Sequence, residues 1–139
     1  MEIMLGLAIL GVTLAIAIPS YQRYLEKTRI AEVISDMRSM EIVIQAYNLD
    51  YGEYPPNLAA VGLDGTLDPW DNPYGYLRDP YGNRNRSRKD GRLNPINDDF
   101  DLYSMGPDGQ SRPPLNAAAS RDDIVRANNG NYMGLAADY

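Results

Sequence analysis

The chain has 139 residues, a net charge of -6 and neither Cys nor His. That composition excludes disulfides, thiol nucleophiles and thiolate metal centres, and it removes the commonest general base and transition-metal ligand. Its acidic balance also argues against general nucleic-acid binding, which needs a basic face.

Residues Ile3–Gln22 carry no formal charge, and Glu2 precedes them. As a helix this run is about long enough to cross a hydrocarbon core, which takes roughly 20 residues. A cleavable signal peptide would begin with basic residues and have a shorter apolar core. Here the leading charge is acidic and the run continues into a helical pattern at Arg23, so the segment is expected to stay in the mature protein. Two residues interrupt it. Pro19 removes a backbone donor and clashes with the preceding turn, which predicts a kink, and Gly11 lowers helix stability by about 1 kcal/mol relative to Ala. Beyond Pro19, Ile30, Val33, Met37, Met40, Ile44 and Tyr47 recur at steps of three and four, an apolar stripe on one helix face. Arg29 with Glu32 and Arg38 with Glu41 stand at a spacing that allows surface ion pairs. Asn48 to Gly52 and the prolines at 55 and 56 end the pattern. One helix is therefore expected from the N-terminus to about residue 50, apolar on every side over 1–22 and on one side over 23–52.

The remaining residues, 53–139, read as a soluble head punctuated by turns: Asp64-Gly65, Asp71-Asn72-Pro73, Asp79-Pro80-Tyr81-Gly82, Asp90-Gly91 and Pro107-Asp108-Gly109. Short strands fit at Tyr74–Leu77, Arg92–Ile96 and Phe100–Ser104, and a short helix at Leu58–Leu63. The expected fold is α+β, a small antiparallel sheet packed on the helix stripe. With one Phe and one Trp the core is thin, so the helix must supply much of it. Arg84, Arg86, Arg88, Lys89 and Arg92 form a local basic cluster, read as a solvated loop or a contact for an acidic face of another subunit. The tyrosines are read as packing at a membrane boundary and on the sheet. An enzyme is disfavoured, because the acids lie in turns without a sign of a pocket.

Some segments resemble a known family. The acidic residue followed by an apolar run with Gly11 and a terminal Ala-Ile-Pro-Ser-Tyr resembles the N-terminal helix of type IV pilins and type II secretion pseudopilins. Asp68-Pro69-Trp70-Asp71-Asn72-Pro73-Tyr74-Gly75-Tyr76-Leu77 is similar to the PWGNPYxY segment of the major, G-type pseudopilin. Phe100 to Gln110 is similar to its YDLYSLGxDGQ, and Asp122-Asp123-Ile124 to its closing DI. Asn83–Arg92 is more basic than the family pattern, and the spans 109–122 and beyond Ile124 are longer. Family chains start with a methylated Phe and have the acid fifth, so the resemblance implies three further positions ahead of those present.

On the residues alone, Glu2 is either an interfacial charge among headgroups or a buried partner for a positive group. The resemblance implies the latter, paired with the N-terminal amine of a neighbouring subunit during assembly. It also implies that the helix between Gly11 and Pro19 extends on assembly. Asp108, Asp122 and Asp123 are oxygen ligands of the kind Ca²⁺ accepts, although such residues serve equally as turns and solvated surface. The resemblance implies structural Ca²⁺ there, held by Asp108 and Asp123, then Asp122 and the backbone carbonyl of Met105. The implied function is a non-enzymatic subunit of a helical homo-oligomeric filament that drives protein export. Its implied partners are minor pseudopilins, an inner-membrane assembly platform with its ATPase, and an outer-membrane secretin. Its place would be the inner membrane with the head in the periplasm, then the filament. The alternatives are a G-like type IV pilin forming a surface filament and a membrane-tethered Ca²⁺-binding module that does not polymerise.

Overall fold

The computed structural model describes residues 2–139, with the side chain of Glu2 outside the description. A single helix, α1 (Glu2–Tyr51), runs for 50 residues, about 75 Å at 1.5 Å per residue. Its second half carries the predicted stripe: Val33, Met37, Met40 and Ile44 are buried against the head, with Ile30 and Ile34 partly so. The helix stops where Gly52 adopts φ 76° and donates its N–H to the Asn48 carbonyl at 2.8 Å, a left-handed cap.

Four short strands form one antiparallel sheet in chain order: β1 (Gly75–Leu77), β2 (Asp101–Ser104), β3 (Ile124–Ala127) and β4 (Tyr132–Leu135). Register pairs Tyr76 with Leu102, Tyr103 with Val125 and Arg126 with Met133. Side chains alternate between the sheet faces, and both faces are covered. Leu102 and Ile124 join Phe100, Tyr74 and the α1 stripe in one apolar cluster. Val125 and Ala127 join Ile96, Leu115 and Ala136 in a second cluster, with Tyr103 packed against it. The second face is roofed by irregular chain, the loops around 88–97 and 111–120. All of β3 is consequently buried.

The structure departs from the sequence reading in several places. Arg92–Ile96 is a loop, because the Asp90 carboxylate captures the N–H groups of Arg92 and Asn94 at 2.9 and 2.8 Å and Leu93 turns to φ 65°. Strands β3 and β4 fall in the C-terminal stretch for which no strand was predicted. They are joined by Asn128-Asn129-Gly130, all at positive φ, a turn signal of the kind that joins hairpin strands. The short helix is a 3₁₀ turn, Leu58–Val61, capped by the Asn57 side chain accepting from the Ala60 N–H at 3.0 Å. Among the described residues neither Arg29–Glu32 nor Arg38–Glu41 forms an ion pair; Glu41 turns inward to Arg126.

That inward pair joins helix to sheet. Arg126 is fully buried on the helix-facing side of β3. Its Nε donates to Glu41 at 2.8 Å, and its two terminal nitrogens donate to the two Asp99 oxygens at 2.8 and 2.7 Å. The guanidinium carbon stacks 4.0 Å from the Phe100 ring centre. One side chain thus ties α1, β3 and the chain entering β2 through planar bidentate contacts that lysine could not reproduce.

Candidate functional site

Two regions carry the functional expectations: the free half of α1 and the C-terminal side of the head. Along the first, Ile3, Leu7, Leu10, Leu14 and Ile18 are each at least half exposed, up to 81% for Ile3. The apolar window has a mean hydropathy of 2.3, and none of it is buried. Among the described residues α1 is the one helix long and apolar enough to cross a membrane. Its hydroxyls are returned to the helix backbone: Thr13 donates to the carbonyls of Ile9 and Leu10 at 3.0 and 2.9 Å, and Ser20 to that of Ile16 at 3.0 Å. The surface presented is therefore almost wholly hydrocarbon.

Gly11 stands in open space, where an added Cβ would meet nothing within 4 Å. Nothing inside one protomer requires glycine there. Pro19 supplies no N–H to the Ala15 carbonyl, yet the helical assignment is unbroken through it. The expectations for Gly11 and Pro19 concern an assembled state and those for Glu2 a side chain outside the description, so both remain as proposals.

In the head, the loop Asp68–Asn72 is built around one buried carboxylate. Asp68 Oδ1 accepts from the N–H groups of Trp70 and Asn72 at 3.0 and 2.9 Å, while its Oδ2 accepts from the Ser104 hydroxyl at 2.6 Å. Asp71, between them, takes φ 65°. The Asn72 amide then donates to the Gly106 carbonyl at 2.9 Å, fixing the turn after β2. Gly106 has φ 63°, and a Cβ on it would collide with the backbone carbonyl of Asp122. Only glycine lets that turn rest against the chain entering β3.

Asp108, Asp122 and Asp123 lie near this junction in different environments. Asp108 is exposed, and its Oδ1 accepts from the Gln110 N–H at 2.8 Å. Asp122 is half-buried and its Oδ2 faces the Asp108 N–H at 3.3 Å. Asp123 is fully buried. Its Oδ2 accepts from the Ser111 hydroxyl in a short hydrogen bond and lies 3.4 Å from the Arg88 guanidinium. Burial pushes its carboxyl up to about 6, against the opposing pull of Ser111 and Arg88. Asp101, on β2, is also raised by burial, held back by the Asn97 amide and the Arg88 N–H.

The basic cluster divides. Arg84, Arg86 and Arg92 are exposed, as a solvated loop requires, but Arg88 is only 3% exposed. Sequence reasoning missed it because a charged residue inside a run of charged and polar neighbours carries no periodic mark of burial. It missed Arg126 for a different reason: no strand was read over Ile-Val-Arg-Ala, so nothing marked that residue as facing a core.

The family described as "Type II secretion system (T2SS), protein G" matches residues 20–123. The chain belongs to the type II secretion system protein G family. It is 31% identical over 119 residues to the type II secretion system core protein G of Pectobacterium carotovorum, covering 78% of this chain and 74% of that protein. The same protein of Dickeya chrysanthemi is 31% identical over 141 residues, covering 94% of this chain and 85% of the relative. A fimbrial protein of Neisseria meningitidis is 31% identical over 67 residues, 48% of this chain and 39% of that one. No solved structure matches. As a protein G relative the chain is a structural, pseudopilin-like subunit and not an enzyme. The family match ends at Asp123, immediately before β3.

The residues of the implied calcium site can be tested against the ion. Ca²⁺ takes six to eight oxygens at about 2.3–2.6 Å. Among the described residues no group of three acidic side chains gathers as a metal site. Asp108 and Asp122 spend oxygens on backbone N–H groups, and Asp123 gives one oxygen to Ser111 and Arg88. Two unit charges about 4 Å apart interact by about 4 kcal/mol near a protein surface, and the repulsion of a dication by the Arg88 guanidinium would be twice that at the same separation. Asp123 Oδ1 is left without a partner, but one free oxygen beside a guanidinium does not make a calcium site. The residues present do not fit the ion.

Proposed function

We propose that this protein is the repeating subunit of a type II secretion pseudopilus. Before assembly the first half of α1 lies in the inner membrane with the head in the periplasm. An assembly platform driven by a cytoplasmic ATPase then extracts it, alongside minor pseudopilins, into a helical filament that pushes cargo toward an outer-membrane secretin. The observation that carries the reading is the free half of α1, apolar on all sides and with none of its window buried by the head. Burying one large aliphatic side chain contributes roughly 1.5–3 kcal/mol, so water is untenable for such a helix. Lipid and copies of itself are the two surroundings that satisfy it. A head-to-tail contact that does not close into a ring makes a helical fibre of such copies.

Glu2 supplies register in this account. A carboxylate at the edge of an apolar run is costly in hydrocarbon unless it meets a positive group, and the N-terminal amine of the neighbouring subunit is that group. Gly11 and Pro19 bound the stretch of helix that extends as copies pack. The test is electron microscopy of sheared filaments together with membrane fractionation. Wild-type protein is expected in both fractions, and Glu2→Ala in membranes alone. Normal filaments from Glu2→Ala would sink the role of the acid, and wild-type protein that never polymerises would sink the filament.

A surface pilus is the second reading, favoured by the match to fimbrial proteins over about half of the chain. Filaments that reach the cell exterior at native expression would decide for it.

A further inference from the structure

We propose that Arg88 is the built-in cation of the head, its guanidinium fastening the 111–123 segment onto the sheet so that the fold closes without a divalent ion. Three stretches of chain converge on this side chain. Its terminal nitrogen donates to the Arg112 carbonyl at 2.6 Å and lies 3.4 Å from Asp123, immediately before β3. Its guanidinium carbon sits 3.6 Å from the centre of the Tyr103 ring on β2. Its own N–H donates to Asp101 Oδ2 at 2.7 Å. Next in sequence, Lys89 exchanges backbone hydrogen bonds of 2.9 Å with Pro113 and Leu115, holding the same two loops side by side.

The platform for Arg88 is itself built into the sheet. Tyr103 pairs with Gly75 across β1 and β2, and its ring lies where a Cβ on Gly75 would be. The ring is thereby held flat against the sheet and offers a π-face to the cation. A guanidinium suits that place: it is planar, weakly hydrated and able to stack while donating in its plane. The two polar groups left over, Arg88 Nε and Asp123 Oδ1, are a donor and an acceptor on the same ion pair. Asp123 thus answers to a cation carried by the chain, and the basic stretch 83–92, which sets this sequence apart from the resemblance, brings that cation in.

The test is the thermal midpoint of the full chain in detergent, followed by near-ultraviolet circular dichroism with millimolar calcium and with EDTA. It is independent of filament growth. The wild-type midpoint is expected to be the same in both media, with no sensitised terbium luminescence that calcium displaces. Arg88→Gln is expected to lower the midpoint by about 10 °C or more, since it strands a buried carboxylate. A wild-type midpoint that EDTA lowers, terbium luminescence lost in Asp123→Asn, or an Arg88→Gln melt equal to wild type would each overturn the proposal. If Arg88→Gln does not fold, the wild-type pair of melts and the terbium titration decide alone.

Discussion

Arg126→Met removes the charge that joins helix to sheet while keeping most of the aliphatic volume. The substitution strips a hydrogen bond to Glu41, two to Asp99 and one to the Phe100 carbonyl. It leaves two carboxylates whose side chains are only 12% and 16% exposed and have lost their counter-charge. Removing one partner of a buried pair costs about 3–5 kcal/mol. A domain of this size shifts its midpoint by about 4–8 °C per kcal/mol, so Arg126→Met is expected to melt at least about 12 °C below wild type. Glu41→Gln, whose amide oxygen can still accept from Nε, should cost about 1 kcal/mol. The double variant should cost less than the sum, because the two share one network. Arg78→Ala is the internal control. Its pair with Glu53 spans 3.5 Å between side chains 44% and 60% exposed, and such surface pairs contribute about 0–1 kcal/mol. Melts of the detergent-solubilised chain by circular dichroism give all four numbers. An Arg126→Met midpoint within about 4 °C of wild type would refute the inference that this arginine fastens α1 to β3.

Two further outcomes follow from the head. Asp71 holds φ 65° with its N–H bound to the Asp68 carbonyl at 2.9 Å, so Asp71→Gly should relieve left-handed strain. After the entropy that glycine adds to the unfolded chain, the net gain is roughly 0.5 kcal/mol, a rise of a few degrees in the melt; a lower midpoint would count against that strain. The Tyr74 phenol is pushed far above its ordinary value, first by burial and then by Asp36, to which it donates at 3.1 Å. The folded value being the higher, this stability is intact below about pH 10 and is lost as alkali ionises the unfolded tyrosine. Denaturant unfolding curves at rising pH should therefore show steeper alkaline loss for wild type than for Tyr74→Phe, and equal slopes would contradict the assignment.

What could be read from the sequence was whatever repeats locally. The alternation of three and four from Ile30 to Ile44 needed only helix geometry to place Val33, Met37, Met40 and Ile44 on the core. Gly52 and the prolines after it marked the end of α1 to within a residue or two. β1 and β2 were found because their flanking turns are unambiguous. β4 was missed although Asn128-Asn129-Gly130 announced a reversal, because Tyr-Met-Gly-Leu is too short and mixed to show a period. Arg92–Ile96 misled for the opposite reason. It fits between turn signals, yet one carboxylate, Asp90, claims two of the N–H groups that a strand would need.

The buried arginines were the least legible part, and the physics explains why. Arg126 meets Glu41 from 85 residues away, and Arg88 meets Asp123 from 35 away. Arg88 stands among polar residues, and Arg126 interrupts an apolar run of only Ile124, Val125 and Ala127, so neither window marks its guanidinium as buried. Burying such a charge is unfavourable unless carboxylates, carbonyls and an aromatic face are already assembled around it. Phe100 supplies that face for Arg126 and Tyr103 for Arg88, on strand positions or beside them that point to opposite sides of the sheet. Each face of a four-stranded sheet is thus clamped by one stacked arginine, on the α1 side through Glu41 and Asp99, on the loop side through Asp123 and the Arg112 carbonyl. With a single Phe and a single Trp in the chain, apolar burial alone gives this head a thin core. The two clamps fasten α1 and the 111–123 segment to that sheet, while the apolar window of α1 lies wholly outside the head.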